Sequence, residues 1–494
     1  MALAPQYAKG WQVLASLLRQ LEKLSEAVDC RRKAVALEPD SVPLLVRLAS
    51  ALVDTRQVAE GLSLYRQALA RDPGNIAAHS SLALSSHYLP GDKAALFASH
   101  RAAGAALAAK LPAAAPHGNA REPERRLRIG YVSSDFHLHS VAFFLAPVFA
   151  SHDAAKVEVF AYSDVAKPDA VTAKLRAMVP HWRDVRELED AALADQVRAD
   201  AIDILVDLAG HTAGNRLGVF ARRAAPLQVS WLGYPDTTGL GAMDARLTDA
   251  IADPPSTSPG GADDFAVEAL VRLPRGFLCY GASDDAPEVA PLPAGSNRPI
   301  TFGSFNNLPK LSDETLDLWT QVLLAVPESR LLLKARGLDD PAIRQGVVGR
   351  FALAGIDQAR LRFAGRTRGY RDHMALYGEI DIGLDSLPYN GTTTTCEALW
   401  MGVPTVTLAG DRHCARVGAS LMTRVGLEEC VAATPEDYVA IAAQLAADRQ
   451  RLADLRAGMR ARVQASPLMD ATGFTASLEA AYRTLWRDWC AHRG

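Results

Sequence analysis

The chain has 494 residues, which at roughly 150 per domain predicts about three units. Hydrophobic residues (49%) and charged residues (22%) stand in ordinary globular proportion, and a net charge of -3 gives no overall attraction for nucleic acid. Six scattered cysteines without a CxxC pair indicate neither a disulfide framework nor a zinc site, which fits a reducing cytoplasm, and no run approaches the ~20 apolar residues of a membrane span.

The N-terminus, MALAPQYAKGWQVLASLLRQLEK, becomes amphipathic rather than reading as a signal peptide. A repeat follows. KAVALEPD ends at Pro39 and QALARDPG at Pro73, a spacing of 34, the tetratricopeptide period. Aligned on those prolines, one unit carries Trp11, Leu14, Ala27 and Ala34, and the next carries Leu45, Leu48, Gly61, Tyr65 and Ala68. A third starts near Ile76, with Leu82 and Ala83, and is interrupted at Pro90-Gly91. Helical repeats are expected over 1–110, with a plain helical bundle as the alternative. Stacked repeats of this kind present a concave surface to peptides or proteins.

Residues 111–125, PAAAPHGNAREPERR, lack periodicity and read as a linker. Short apolar runs then alternate with helical segments: RLRIGYVSSD, KVEVFAYSD, IDILVDLAG, LQVSWLG, ITFGSF, RLLLKA, RLRFAG, IDIGLD and VPTVTLAG. Such runs predict strands buried on both faces of parallel sheets, and the alternation predicts a doubly wound α/β fold. Nine strands are many for one sheet, and a Pro/Gly/Ser-rich break lies at 280–299. Two Rossmann-like halves are therefore expected, 126–290 and 297–465, with an amphipathic helix in 466–494 packing back on the first half. In such a pair of sheets, ligands belong at the C-terminal strand ends, around a cleft.

Five strand-end motifs carry candidate chemistry. LPYNGTTTTCEALWMG (387–402) passes from turn to helix, and Asn390-Gly391 makes the turn. Thr392, Thr393 and Thr394 sit where free N–H groups and the helix dipole favour an anion. Read alone, the run serves as well as a capped helix start; its place after a buried strand favours the anion site. Glu397 then either rests on the dipole or bonds ribose hydroxyls. SFNNLPK places Asn307 and Lys310 after the first strand of the second half, within reach of a phosphate. DFHLHS and DLAGHTAGNR bring His137, His139, His211 and Arg216 to strand ends of the first half, as bases or donors. WLGYPDTTG supplies Tyr234 and Pro235 which, with Arg216 of the preceding motif, would wall an acceptor cleft. The chain has no D-x-D, GxGxxG or GxxxxGK[ST]. A diphosphate leaving group would rest on Lys310 and helix N–H groups in place of a metal.

Together these motifs, downstream of the repeats, resemble the O-linked N-acetylglucosamine transferase/SPINDLY family. The resemblance runs from about Trp11 to Trp489 and looks like a short bacterial member. It implies a GT-B fold and inverting transfer of N-acetylglucosamine from UDP-GlcNAc to Ser/Thr hydroxyls of proteins. No metal and no cofactor beyond the donor are implied. By motif, Lys310 matches the lysine on the donor diphosphate, Asn307 the Gln or Asn beside the leaving phosphate, and Thr393 and Thr394 the diphosphate-binding threonines. Glu397 matches the acidic ribose ligand and His373 the histidine near the base. His139 matches the proposed general base. Three positions depart from animal members: Thr392 stands for His, Tyr370 for Lys and His211 for Tyr. These departures leave GDP-fucose or UDP-glucose open as the donor. Two further readings are a protein-binding scaffold with an inactive transferase region, and a sugar-nucleotide epimerase of the same layout.

Overall fold

The computed structural model describes residues 5–109, 111–257, 259–296 and 298–491. The expected boundaries at 1, 110, 297 and 494 lie outside the described residues. The chain divides into two compact units, residues 1–91 with 283–463 and residues 92–282 with 464–494.

The repeats form paired helices. α1 (Ala8–Gln20) and α2 (Leu24–Leu37) make one hairpin, α3 (Val42–Asp54) and α4 (Val58–Arg71) the next, and α5 (Ile76–Ser86) follows. The first helices start 34 residues apart, and so do the turn residues at positive φ, Glu22 (59°) and Arg56 (68°). The small positions are steric. A Cβ on Gly61 would lie 2.8 Å from Val53 Cγ2 and 2.9 Å from the Ala49 carbonyl, so α3 and α4 touch backbone to backbone. Large side chains fill the rest: Tyr65 is buried, and its hydroxyl lies 2.8 Å from Ser50 Oγ.

α6 (Lys93–Ala108) belongs to the other unit, so the helical section is divided. That unit holds seven parallel strands: β1 (Leu127–Ser133), β2 (Val157–Ser163), β3 (His181–Asp184), β4 (Ile204–Asp207), β5 (Leu227–Ser230), β6 (Ala245–Thr248) and β7 (Ala269–Arg272). Their order is β3-β2-β1-β4-β5-β6-β7. Burial on both faces explains the near-continuous apolar runs; Ile129 pairs with Ile204, and both are fully buried. One face is covered by the helix Ala471–Ala491 through Phe474, Leu478, Tyr482 and Trp486. Trp486 Nε1 donates to the Glu122 carbonyl at 3.0 Å. The segment 111–125 has no regular element but is tied down, with Asn119 Nδ2 and Arg125 on the buried Asp203 carboxylate.

The second sheet, in the unit with α1 to α5, contains β8 (Thr301–Ser304), β9 (Arg330–Lys334), β10 (Leu361–Ala364), β11 (Ile382–Leu384), β12 (Thr405–Leu408) and β13 (Val431–Ala432). It is parallel, in the order β10-β9-β8-β11-β12-β13. The repeats dock on it by the side chains of their turns. Ser25 Oγ donates to Asp340 at 2.7 Å, Arg56 Nε to the Leu311 carbonyl at 2.6 Å, and Arg336 Nε to Glu22 at 2.9 Å. Strand order reverses between β1 and β4 in one sheet and between β8 and β11 in the other. Within each sheet the loops after those two strands flank a topological switch point, the place where open α/β sheets take ligands.

Four strands escape the sequence pattern: β3, β6, β7 and β13. Each is two to four residues long, and HWRD, ARLT and ALVR carry charged residues within the run. Lateral pairing with an existing sheet holds them, not their own periodicity.

Candidate active site

At the β8/β11 switch point two loops interlock. After β8, Asn306 turns inward. Its Nδ2 donates to Ser386 Oγ at 2.9 Å, and its Oδ1 accepts from Thr394 Oγ1 at 2.7 Å. Asn307 is exposed, so it is Asn306 that ties this strand to the threonine run. A short turn, Leu308–Lys310, follows, and then Ser312 caps the helix Asp313–Ala325 through the Thr315 N–H. Ser312 and Thr315 hydroxyls also donate to the Leu387 carbonyl, at 2.9 and 2.6 Å. These bonds clamp the start of one loop on the start of the other.

After β11, the buried Asp385 organises the turn. It accepts from the Ser386 N–H (2.9 Å), the Gly391 N–H (2.6 Å) and Thr407 Oγ1 (2.8 Å). Burial pushes its pKa up to about 6, against those hydrogen bonds and the Lys310 charge. Asn390 is almost wholly enclosed and fully used: its Nδ2 donates to the Ser386 carbonyl, and its Oδ1 accepts from the Gly418 N–H. A Cβ on Gly391 would come within 2.6–2.8 Å of Thr394 Oγ1, Thr395 Oγ1 and Asn306 Oδ1. Only glycine fits between the turn and the helix it starts.

Lys310 stands where these loops meet. Its Nζ donates to the Asn390 carbonyl at 2.7 Å and lies 4.0 Å from the centroid of the Tyr389 ring. Desolvation pulls its pKa down to about 8, with Asp385 and then Cys414 acting the other way. The helix Thr393–Trp400 begins beside it. Thr392 occupies the cap position, but no side chain caps this end. Its first N–H groups therefore keep their capacity to bind an acceptor, in contrast to the capped helix at Ser312. Thr394 is committed to Asn306, and Thr393 is half-buried with no side-chain bond among the described residues.

Glu397, one turn on, is buried. Its Oε2 accepts from His373 Nε2 at 2.8 Å and from the Tyr377 hydroxyl at 3.3 Å. His373 Nδ1 lies 2.9 Å from Lys334 Nζ, so the ammonium donates to the ring and the ring donates to the carboxylate. Desolvation lowers the Lys334 pKa, opposed by Glu397. Phe305 and Tyr377 pack on His373 with ring centroids 5.9 and 5.6 Å away.

At the β1/β4 switch point the picture is mixed. His139 caps the helix Ser140–Ser151; its Nδ1 faces the Val141 N–H at 3.4 Å and Asp135 Oδ2 at 3.6 Å. Its Nε2 has no partner among the described residues, and the side chain is 42% exposed. Desolvation lowers its pKa, Asp135 opposes this, and His137 adds to it. The ring is thus neutral near pH 7 and open to a ligand at Nε2, which is a donor while Nδ1 accepts from Val141 and a base when Nδ1–H turns to Asp135.

Of the other positions expected here, three are buried and Arg216 is half-buried. His211 is 2% exposed, and its Nε2 donates to the Thr238 carbonyl at 2.8 Å. Tyr234 is buried, its hydroxyl 2.6 Å from His100 Nε2, and Pro235 is buried beside it. Arg216 is paired with Asp190 (2.8 Å) and Asp164 (3.5 Å). The expected roles of His211 as a catalytic residue and of Tyr234, Pro235 and Arg216 as cleft walls thus fall on side chains that are buried or paired in this structure. His211, Tyr234 and Arg216 are each held by protein partners, and His211, Tyr234 and Pro235 are buried.

Residues that sequence reasoning passed over are Asn306, Lys334, Tyr377, Asp385 and Tyr389. Three stood in plain view: Asn306 beside Asn307, Lys334 at the end of RLLLK, and Asp385 at the end of IDIGLD. A polar residue closing a buried apolar run was the available signal.

The model of glycosyl transferase family 41 matches residues 76–280 and 292–478. A protein of Oryza sativa subsp. japonica, named a probable UDP-N-acetylglucosamine–peptide N-acetylglucosaminyltransferase SPINDLY, is 43% identical over 431 residues, 86% of this chain and 46% of its own. The UDP-N-acetylglucosamine–peptide N-acetylglucosaminyltransferase of Caenorhabditis elegans is 26% identical over 480 residues, 74% of this chain and 41% of its own. This chain thus spans less than half the length of these curated relatives. The solved structure of a Thermobaculum terrenum O-GlcNAc transferase mutant superposes with a TM-score of 0.93 at 40% identity, covering 99% of this chain and 92% of that one.

Proposed function

The chain belongs to glycosyl transferase family 41, and from that premise we propose that it transfers N-acetylglucosamine from UDP-N-acetylglucosamine to Ser/Thr hydroxyls of proteins, with inversion and without a metal. The names of the relatives support the donor and the acceptor class. The observation that carries the chemistry is Lys310, held by the Asn390 carbonyl beside the uncapped start of the helix Thr393–Trp400.

The acceptor oxygen attacks the anomeric carbon as the bond to the diphosphate breaks. Negative charge grows on the leaving phosphate, and Lys310 with the N–H groups of Thr393 and Thr394 stabilises it. Fixed donors of this kind act without reorganising during reaction. Glu397, oriented by His373 and Tyr377, takes the ribose hydroxyls with its second oxygen. Lys334 and His373 lie at the base end. In this proposal His139 receives or orients the acceptor proton. The repeats hold protein acceptors. All six cysteines are free, which suits a reducing cytoplasm, and no helix among the described residues is long and apolar enough to cross a membrane.

The test is nucleotide release and mass-spectrometric detection of added N-acetylhexosamine on co-expressed proteins, with UDP-GlcNAc, GDP-fucose and UDP-glucose offered separately. Activity with UDP-GlcNAc alone is expected. Added deoxyhexose from GDP-fucose would reassign the donor. Failure to bind any nucleotide would make the chain a scaffold.

A further inference from the structure

Tyr389 lies within the threonine-loop motif, yet diphosphate binding gives it no task. Its ring carries the Lys310 ammonium on one face, 4.0 Å from the centroid. It also meets the end of the repeat array: Tyr88 stacks on it with centroids 5.5 Å apart and planes at 20°, and the buried His87 meets it edge-on at 6.2 Å. His87 Nδ1 is in turn 3.6 Å from Cys414 Sγ, which lies 3.6 Å from the Pro388 carbonyl. The repeats reach the same lysine from its other flank, where Arg56 Nε, in the α3–α4 turn, donates to the Leu311 carbonyl one residue past Lys310. All of these residues lie in one compact unit.

We propose that Tyr389 is a positioning residue for Lys310 and that Tyr88, just past α5, holds it in place, so that the repeat array sets the geometry of the ammonium that meets a nucleoside diphosphate. A lysine stem has four rotatable bonds, and one hydrogen bond to a carbonyl leaves the ammonium free to swing. An aromatic face below it supplies a second, directional attraction without an anion that would compete with phosphate. The ring does this only while its plane is fixed, and the stack on Tyr88 fixes it. The charged and titratable groups around the ammonium are Asp385, Cys414, Tyr389 and, behind the ring, Tyr88 and His87. Asp385 is spent on Ser386, Gly391 and Thr407. The repeats are thus part of the donor site's support as well as a surface for acceptors.

This inference rests on the diphosphate site proposed above, and the experiment separates the two. UDP binding to the full chain is measured by calorimetry for wild type and for Tyr389→Phe, Tyr389→Leu, Tyr88→Phe and Tyr88→Leu, with melting curves as the fold control. Both Phe variants should bind as wild type. Tyr389→Leu should lose about tenfold in affinity and Tyr88→Leu a few-fold. The pair of Leu changes together should lose no more than Tyr389→Leu alone, because Tyr88 acts through Tyr389. In a Lys310→Met background, Tyr389→Leu should have no further effect. A wild type that fails to bind UDP overturns the diphosphate site itself. A wild type that binds, with Leu variants that fold and bind equally well, overturns the positioning role. So does a Tyr389→Leu loss that persists without the lysine, since that would be loop damage alone. Should Tyr389→Leu not fold, the Tyr88→Leu change measured with and without Lys310 decides the question.

Discussion

Replacing Lys310 with methionine keeps the aliphatic stem and removes only the charged end. The lysine donates to the Asn390 carbonyl at 2.7 Å, and its pKa of about 8 leaves it charged in about nine of ten molecules at pH 7. A unit charge ~4 Å from a developing phosphate charge, at an effective dielectric constant of ~20, is worth about 4 kcal/mol. Loss of one preorganised donor typically costs 10²–10³ in rate, about 2.7–4 kcal/mol. The two figures agree, so turnover should fall by 10²–10³. Stability should move the other way. The folded-state pKa lies below the ordinary 10.5, so the unfolded chain binds more protons between pH 8 and 10.5. Stability therefore rises with pH through that window, and below pH 8 the charge opposes folding. The full shift corresponds to roughly 3 kcal/mol as an upper bound, and the bond to Asn390 with the contact to Tyr389 offsets part of it. Lys310→Met should then melt at the wild-type temperature or above it at pH 7. Initial-rate nucleotide release and calorimetric melting measure the two effects. Turnover within fivefold of wild type would refute the reasoning, and so would a rate loss explained by a collapse in melting temperature.

Other consequences follow from the same geometry. UDP affinity should be flat from pH 6.5 to about 7.5 and then fall toward tenfold per pH unit above about 8, as Lys310 loses its proton; a flat titration to pH 9.5 would remove the lysine from the contact. Gly391→Ala places a methyl within 2.6–2.8 Å of three oxygens, so stability should drop by about 1–3 kcal/mol in urea and UDP binding should weaken severely, which unchanged binding would contradict. Glu397→Gln keeps the shape but loses the charge-assisted bond from His373, at a cost of about 1.5–3 kcal/mol; discrimination between UDP and its 2′-deoxy analogue should shrink, and an unaltered ratio would free Glu397 of the ribose role.

The threonine loop shows how far sequence pattern reaches. IDIGLD followed by NGTTTT announces a strand, a tight turn and a helix start, and those elements form at Ile382–Leu384 and Thr393–Trp400. Nothing in the run tells which threonine faces inward. Thr394 is taken by Asn306, a residue 88 positions away in the chain. His211 shows the opposite case. A histidine after a buried strand reads as chemistry, and its place in the motif gives no hint that the ring lies against Tyr234 and bonds the Thr238 carbonyl.

Period and punctuation are local properties, and they were enough to determine the 34-residue repeat, the two series of buried strands, the strand-end position of Lys310 and the helix start beside it. Side-chain partnership is not local. Lys310 finds its carbonyl 80 residues on, Lys334 its histidine 39 residues on, and Tyr88 stacks on the loop after β11, at the centre of the second sheet. Those meetings depend on strand order and on how the repeats dock, which hydrophobic periodicity does not encode. Only the tertiary structure decided that α1 to α5 belong with the second sheet, that His211 is buried and Arg216 paired with Asp190, and that the repeat array ends against the ring beneath Lys310.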